Sequence, residues 1–281
     1  MESTIIIEDF SALGQISMVA SLSILQTFGC ATAALPTSLL STQTEGFGQP
    51  VQLATSAWFK ATISHWQDQN VKISTALIGY LGNQAIISDV IDTLTKFRPS
   101  LVLVDPAMAD QSELYPGLDS DYVDAIRQLC HKADLITPNV TELALLTDCE
   151  VPKWIDLAWV QNCLNKLESM GILASVVVSG VRMADQIGSV IAANNQLEFI
   201  ASPYFSGHFY GTGDTFAPLL LGFLRRGVSL KEAVQKSTKL MEIAVEETSH
   251  LTADDRKYGL RLAKLLGKLS TEVANGRQKD W

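Results

Sequence analysis

The string Gly211-Thr212-Gly213-Asp214-Thr215-Phe216 holds the residues best suited by type and spacing to do chemistry. Two glycines let a backbone approach a ligand closely, and the residues after them can open a helix. Such a turn offers free N–H groups and the positive end of a helix dipole to an anion. Asp214 would stand at the same opening, within reach of a hydroxyl proton. One loop could then hold both an anion hole, built from Gly211, Thr212 and Gly213, and a carboxylate base. A helix N-cap after a flexible turn is the competing reading, and Pro218 in the first helical turns fits either.

Further acidic and polar groups fall where predicted strands end, the usual ligand edge of an open α/β sheet. Asp105-Pro106-Ala107-Met108-Ala109-Asp110 follows one such strand. Asp105 and Asp110 could hold Mg²⁺ or its water shell beside transferring phosphates, or simply form a turn and a solvated loop. Pro138-Asn139-Val140-Thr141-Glu142 follows the next strand. There Asn139 and Glu142 have capping-box spacing, and the functional alternative places Glu142 near the same hydrated metal as Asp105. Ser179-Gly180 reads as a structural turn that could also lie close to a nucleotide phosphate. His208 is either a ligand contact or an ordinary loop histidine, and His65, His131 and His250 have no spacing that marks a catalytic role.

The elements that must position these groups alternate. Strands are expected at Thr4–Ile7, Thr32–Pro36, Ile73–Ile78, Ser100–Val104, Leu135–Thr137 and Leu173–Val178. Helices are expected at Ile16–Phe28, Thr55–Gln67, Gln84–Phe97, Asp119–His131, Thr141–Leu146 and Ile155–Met170. That rhythm predicts an α/β fold with a largely parallel sheet covered on both faces. Met183–Ala192 and Gln196–Ile200 then read as a hairpin around Asn194–Asn195. Three helices close the chain at Asp214–Arg225, Leu230–Glu246 and Asp255–Leu269, and Val273–Trp281 is a polar end expected to fray.

Composition narrows the function classes. The 281 residues suit one large α/β domain, and 47% are hydrophobic, enough for a substantial core. A formal charge of -9 without a basic block argues against nucleic-acid binding. No window reaches about 18 uninterrupted apolar residues, which argues against a membrane span. The start of the chain lacks the basic n-region of a signal peptide. Cys30, Cys130, Cys149 and Cys163 have no metal-site spacing and read as reduced thiols of a cytoplasmic protein.

In their order and spacing, Leu39–Thr44, Gly79-Tyr80-Leu81-Gly82, Asp105–Asp110, Thr137–Glu142 and Gly211–Asp214 resemble the ribokinase-like superfamily, specifically its pyridoxal/pyridoxamine kinase branch. The resemblance runs from about Ile5 to about Glu246. It implies a three-layer fold with a central, mostly parallel sheet flanked by helices, here a single kinase domain over 1–270 with a flexible tail at 271–281. It implies phosphorylation of the 5′-hydroxyl of pyridoxal, pyridoxine or pyridoxamine by ATP with Mg²⁺, a monovalent cation such as K⁺ as a further candidate cofactor, and a homodimer. By the same comparison Ser11, Thr44 and Tyr80 line the vitamin pocket. Asp105, Asp110 and Glu142 belong to the metal–phosphate region, Asp105 and Glu142 being the candidate metal ligands. Ser179 lies near the nucleotide phosphates, and Thr212–Asp214 matches the anion hole and base. Two alternatives stand beside this reading: hydroxymethylpyrimidine kinase of thiamine biosynthesis, and a catalytically weak homologue that binds B6 vitamers or a nucleotide. Two departures are visible. Ala109 stands where close members commonly have glycine, a cost of about 1 kcal/mol if the position needs φ > 0. Gln15 stands where related kinases often carry a basic residue.

Overall fold

The computed structural model describes residues 2–193 and 196–276. Strands are β1 (Ser3–Ser11), β2 (Thr32–Leu40), β3 (Gln52–Ala54), β4 (Ile73–Ile78), β5 (Leu101–Val104), β6 (Ala109–Asp110), β7 (Glu113–Leu114), β8 (Leu135–Ile136), β9 (Ser175–Met183), β10 (Gln186–Ala193) and β11 (Gln196–Pro203). Helices are α1 (Met18–Thr27), α2 (Ser56–Asp68), α3 (Gln84–Phe97), α4 (Ser120–Cys130), α5 (Val140–Thr147), α6 (Leu157–Ser169), α7 (Thr212–Arg225), α8 (Leu230–Ser249), α9 (Ala253–Arg256) and α10 (Ala263–Asn275).

Nine strands form one sheet in the order β11-β10-β9-β8-β5-β4-β1-β2-β3. The pairings from β9 through β2 are parallel, while β10, β11 and β3 add antiparallel edges. Helices cover both faces, giving the expected three layers. Alternation along β1 sorts the core: Ile5 and Ile7 pack into one apolar cluster with α3–α6, and Ile6 packs into the other with α1, α7, α8 and α10. A buried Thr4–Thr75 hydroxyl pair, 2.7 Å apart, is capped by Arg225 of α7 and fixes that helix against the sheet.

The strongest periodic segments lie where the sequence places them. α3 begins at Asn83, whose side chain accepts the Ile86 amide at 3.1 Å, and β4 coincides with its expected range. Four departures stand out. β1 runs four residues past Ile7, so Glu8 to Ser11 are strand rather than a polar break. β9 continues through Ser179–Gly180 to Met183, because β10 still pairs with it after β8 has ended. Asp110 lies on a small β6–β7 hairpin that the sequence did not announce. The expected helix 255–269 is interrupted at Gly259 (φ 88°), whose backbone packs against Gln15. α10 then extends through Asn275, into the segment expected to be a tail. β10 and β11 pair as a hairpin from Ala193↔Gln196; its expected tip, 194–195, and the end at 277–281 lie outside the described residues.

α1 and α7 cross closely at Gly222, where any Cβ would fall inside the contact shell of the Phe28 ring. Phe28 also meets Phe223 edge-on at 4.9 Å. Gly222→Ala should therefore destabilise the fold by about 1–3 kcal/mol through overpacking, read as a lowered urea midpoint with an unchanged slope.

Candidate active site

Asp214 sits in the first turn of α7 and lines two cavities at once. The larger, about 380 Å³, runs from Asp105 and Thr212 past Ser179 to Tyr204 and the inner face of α8 at Thr238 and Glu242. The smaller, about 80 Å³, is bounded by Asp9, Thr44, Tyr80, Tyr115 and Gly211.

α7 has no side-chain cap. Gly211 precedes it at φ 77°, a left-handed conformation that glycine adopts without strain. The first N–H groups of a helix have no partner within it. Those of Thr212 and Gly213 open where these residues line the larger cavity, so the dipole and the free amides favour an anion there. Gly213 has a second, steric role: a Cβ would stand 2.9 Å from Asp105 Oδ2. Only a bare backbone lets that carboxylate approach the helix start.

The Asp214 carboxylate is fixed from the other side of the molecule. The Ser17 amide, at the N-cap of α1, donates to Asp214 Oδ2 at 2.8 Å. Ser17 is held at φ 47°, unusual for a residue with a Cβ, and this strained turn aims its N–H at the carboxylate. Burial raises the Asp214 pKa above the ordinary aspartate value, and the Ser17 bond opposes that rise.

Four more carboxyl groups surround it. Glu8 is 2% exposed, and burial, reinforced by Asp214, pushes its pKa well up. Asp9 is 3% exposed, and burial raises it to about 7 against the pull of the Ser17 and Ser11 hydroxyls. Asp105 is raised to about 7 by burial and by Asp214. Glu142 is raised by burial and then by Asp105. Tyr80 moves up to about 12, through burial and the nearby Asp9.

The structure brings Asp105, Asp110, Glu142, Ser179, Thr212, Gly213 and Asp214 to the larger cavity, and Thr44, Tyr80, Gly211 and Asp214 to the smaller. Ser179 enters it from within β9, where Gly180 (φ 67°) bends the strand, rather than from a strand-end turn. Glu142 is committed as a cap: its oxygens accept the Asn139 amide at 2.8 Å and the Met108 amide at 3.2 Å. Ser11 does not reach either cavity wall. It is fully buried and donates to Asp9 at 3.0 Å, leaving Asp9 as the group that faces the smaller cavity.

Neither departure at Ala109 and Gln15 strains the site. Ala109 lies in β6 outside the positive-φ region, and its carbonyl accepts from Asn139 at 2.8 Å; the left-handed residues are Gln111 and Ser112. Gln15 bonds to the Tyr258 carbonyl and the Leu262 amide, a structural tie across the loop before α1. The sequence reading missed Asp9, Ser17, Tyr115 and the α8 face. Asp9 stands two residues beyond the apolar run, after Glu8, where a polar break rather than a continuing strand is the natural reading.

The sheet order, the helix layers and a glycine turn opening a helix at the sheet's ligand edge are those of a ribokinase-like fold. The profile of the phosphomethylpyrimidine kinase family matches residues 18–258, and the chain belongs to that family, within its ribokinase-like, pyridoxal kinase group. The crystal structure of pyridoxal kinase from Lactobacillus plantarum superposes with a TM-score of 0.90 at 35% identity, over 99% of this chain and 100% of that one. The pyridoxine/pyridoxal/pyridoxamine kinase of Bordetella avium is 30% identical over 66% of this chain and 64% of its own length. The hydroxymethylpyrimidine/phosphomethylpyrimidine kinase of Haemophilus influenzae is 29% identical over 62% and 65%. The first curated relatives are matched over 52% to 65% of their own lengths, so the chain spans about half to two thirds of them.

The raised carboxyl pKa values have a measurable consequence. Asp9 rises from 3.8 to about 7 on folding, so the folded chain binds its proton more tightly than the unfolded one. The stabilisation from that protonation is complete below about pH 4 and is lost as pH rises through about 7. Thermal melts of wild type and Asp9→Asn from pH 4 to 8 should show the wild type losing ground to the variant as pH rises.

Proposed function

We propose that this chain transfers the γ-phosphoryl group of ATP to the 5′-hydroxymethyl group of pyridoxal, pyridoxine or pyridoxamine. The observation that carries the reading is that Asp214 lines both cavities, with the open α7 amides on one side of it. The nucleotide occupies the larger cavity, its phosphates against the Thr212 and Gly213 amides. The flat vitamin ring occupies the smaller, between Thr44 and Tyr80, with its hydroxyl at Asp214.

Asp214 accepts the hydroxyl proton while the alcohol oxygen bonds to phosphorus and the bond to the β-phosphate oxygen breaks, releasing ADP. The Ser17 amide holds Oδ2, which leaves Oδ1 to take the proton. The α7 amides and helix dipole stabilise the charge that gathers on the transferring group. The donor set fits a hydrated Mg²⁺, which keeps several waters and takes one or two carboxylates besides phosphate oxygens. Asp105 would hold it through a carboxylate facing the cavity, with Asp110 beside it. Glu142, its oxygens already taken by amides, would act through water. The ion supplies neutralisation of phosphate charge.

A second acceptor follows from the family profile itself and from the Haemophilus influenzae relative: hydroxymethylpyrimidine, another flat heteroaromatic alcohol. A parallel assay with MgATP, in K⁺ or Na⁺, against the three B6 forms and hydroxymethylpyrimidine decides between them. No turnover on any would exclude both substrates. Asp214→Asn should lower kcat by about 10²- to 10⁴-fold while ADP binding, read by calorimetry, stays within a few-fold of wild type. Unchanged turnover would remove Asp214 as the base.

We also propose a homodimer built on the β3 edge. Among the described residues β3 pairs only with β2, and Leu53 on it (63% exposed), Val51 just before it and Trp58 shortly after it are exposed apolar side chains. Leu53→Lys should shift the sedimentation coefficient from dimer to monomer. Free thiols at all four cysteines support a cytoplasmic setting.

A further inference from the structure

The smaller cavity has an imbalance of charge. Three of its lining residues are carboxylic acids, Asp9, Glu45 and Asp214, and none of its lining residues among those described is Lys, Arg or His. The other groups that line it are hydroxyls, one amide and apolar side chains. Glu45 feels the charge of His208, which lines the neighbouring cavity, and Asp214 is held by the Ser17 amide. Lys257, whose carbonyl accepts from Gln43 at 2.5 Å, has its ammonium group on Asp254 at 2.7 Å.

Asp9 is different. It is buried on β1, and its donors are the neutral hydroxyls of Ser11, at 3.0 Å, and Ser17. It forms no ion pair among the described residues. A buried carboxylate with neutral donors alone is costly, and a cation that enters the cavity offsets that cost. Asp9 falls where the register of β1 against β2 shifts, between Glu8 and Phe10, and its amide is tied to the Tyr80 carbonyl at 3.1 Å.

We infer that the acceptor alcohol binds as a cation, with a protonated ring nitrogen or ammonium N–H donated to the Asp9 carboxylate, so that Asp9 sets the substrate class. This rests on the reading of the smaller cavity as the acceptor site. It goes beyond that reading by assigning the recognition of the ring to charge, through a residue on β1, rather than to shape alone. Cationic nitrogen heterocycles and amines fit the site; neutral carbocyclic or anionic alcohols of the same outline do not.

Calorimetric titration of the full chain in the presence of ADP tests this with four ligands: pyridoxamine, pyridoxine, hydroxymethylpyrimidine, and the benzene analogue of pyridoxine in which C–H replaces the ring nitrogen. The wild type should bind at least one nitrogen ligand about tenfold or more tightly than the benzene analogue, the scale of one charge-assisted hydrogen bond. Asp9→Asn should erase that margin, leave affinity for the benzene analogue unchanged, and keep wild-type ADP affinity. Equal binding of nitrogen and benzene ligands by the wild type overturns the inference, as does an Asp9→Asn variant that retains the margin. The wild-type comparison stands on its own if Asp9→Asn does not fold. A wild type that prefers the nitrogen ligands yet phosphorylates none of them upholds this inference and sinks the kinase reading. One that phosphorylates them without preferring them does the reverse.

Discussion

The Ser17 amide and the Asp214 carboxylate join two helix starts that are 197 residues apart in the chain. α1 begins where β1 and its following loop turn back, and α7 begins where the chain returns from the β9–β11 sheet edge. Neither start has a conventional side-chain cap. One bond of 2.8 Å thus sets where the α7 amides point and where the carboxylate lies. The packing of Phe28 against Gly222 and Phe223 below it holds the two helices at that spacing. The geometry of both cavities depends on this contact.

Electrostatically the centre is under-neutralised. Glu8, Asp9, Asp105, Glu142 and Asp214 are gathered with backbone amides and hydroxyls for company instead of basic side chains. Such dipoles moderate the burial of charge without cancelling it. The raised pKa values of Asp9, Asp105 and Asp214 express the cost that remains.

Much of this was legible in the sequence. The parallel sheet, its helix layers and the motifs at its strand ends follow from hydrophobic rhythm and from glycine placement. α3 and β4 were readable because their apolar spacing is unambiguous. What escaped depends on tertiary partners. The extension of β9 requires β10 alongside it, and the break at Gly259 requires the Gln15 loop. The cost expected at Ala109 does not arise, because the left-handed turn falls two residues later. Asp9 was passed over because an acid after an apolar run reads as the end of a strand. Only the fold shows that β1 continues through Asp9 to Ser11 and buries it. Ser11, expected at the ring, lies one step behind it.

The two cavities draw their walls from different parts of the chain. The smaller is built from β1, the segment after β2, the turn after β4 and the β5–β7 region. The outer part of the larger comes from β9–β11, the loop after them and α8. They meet at Ala107 and Asp214. If the cavities serve as proposed, substitutions on the wall of the smaller can change the acceptor alcohol while the donor side stays intact. On that assignment acceptor choice is separately evolvable, in keeping with a family whose members are named for pyridoxal and for hydroxymethylpyrimidine.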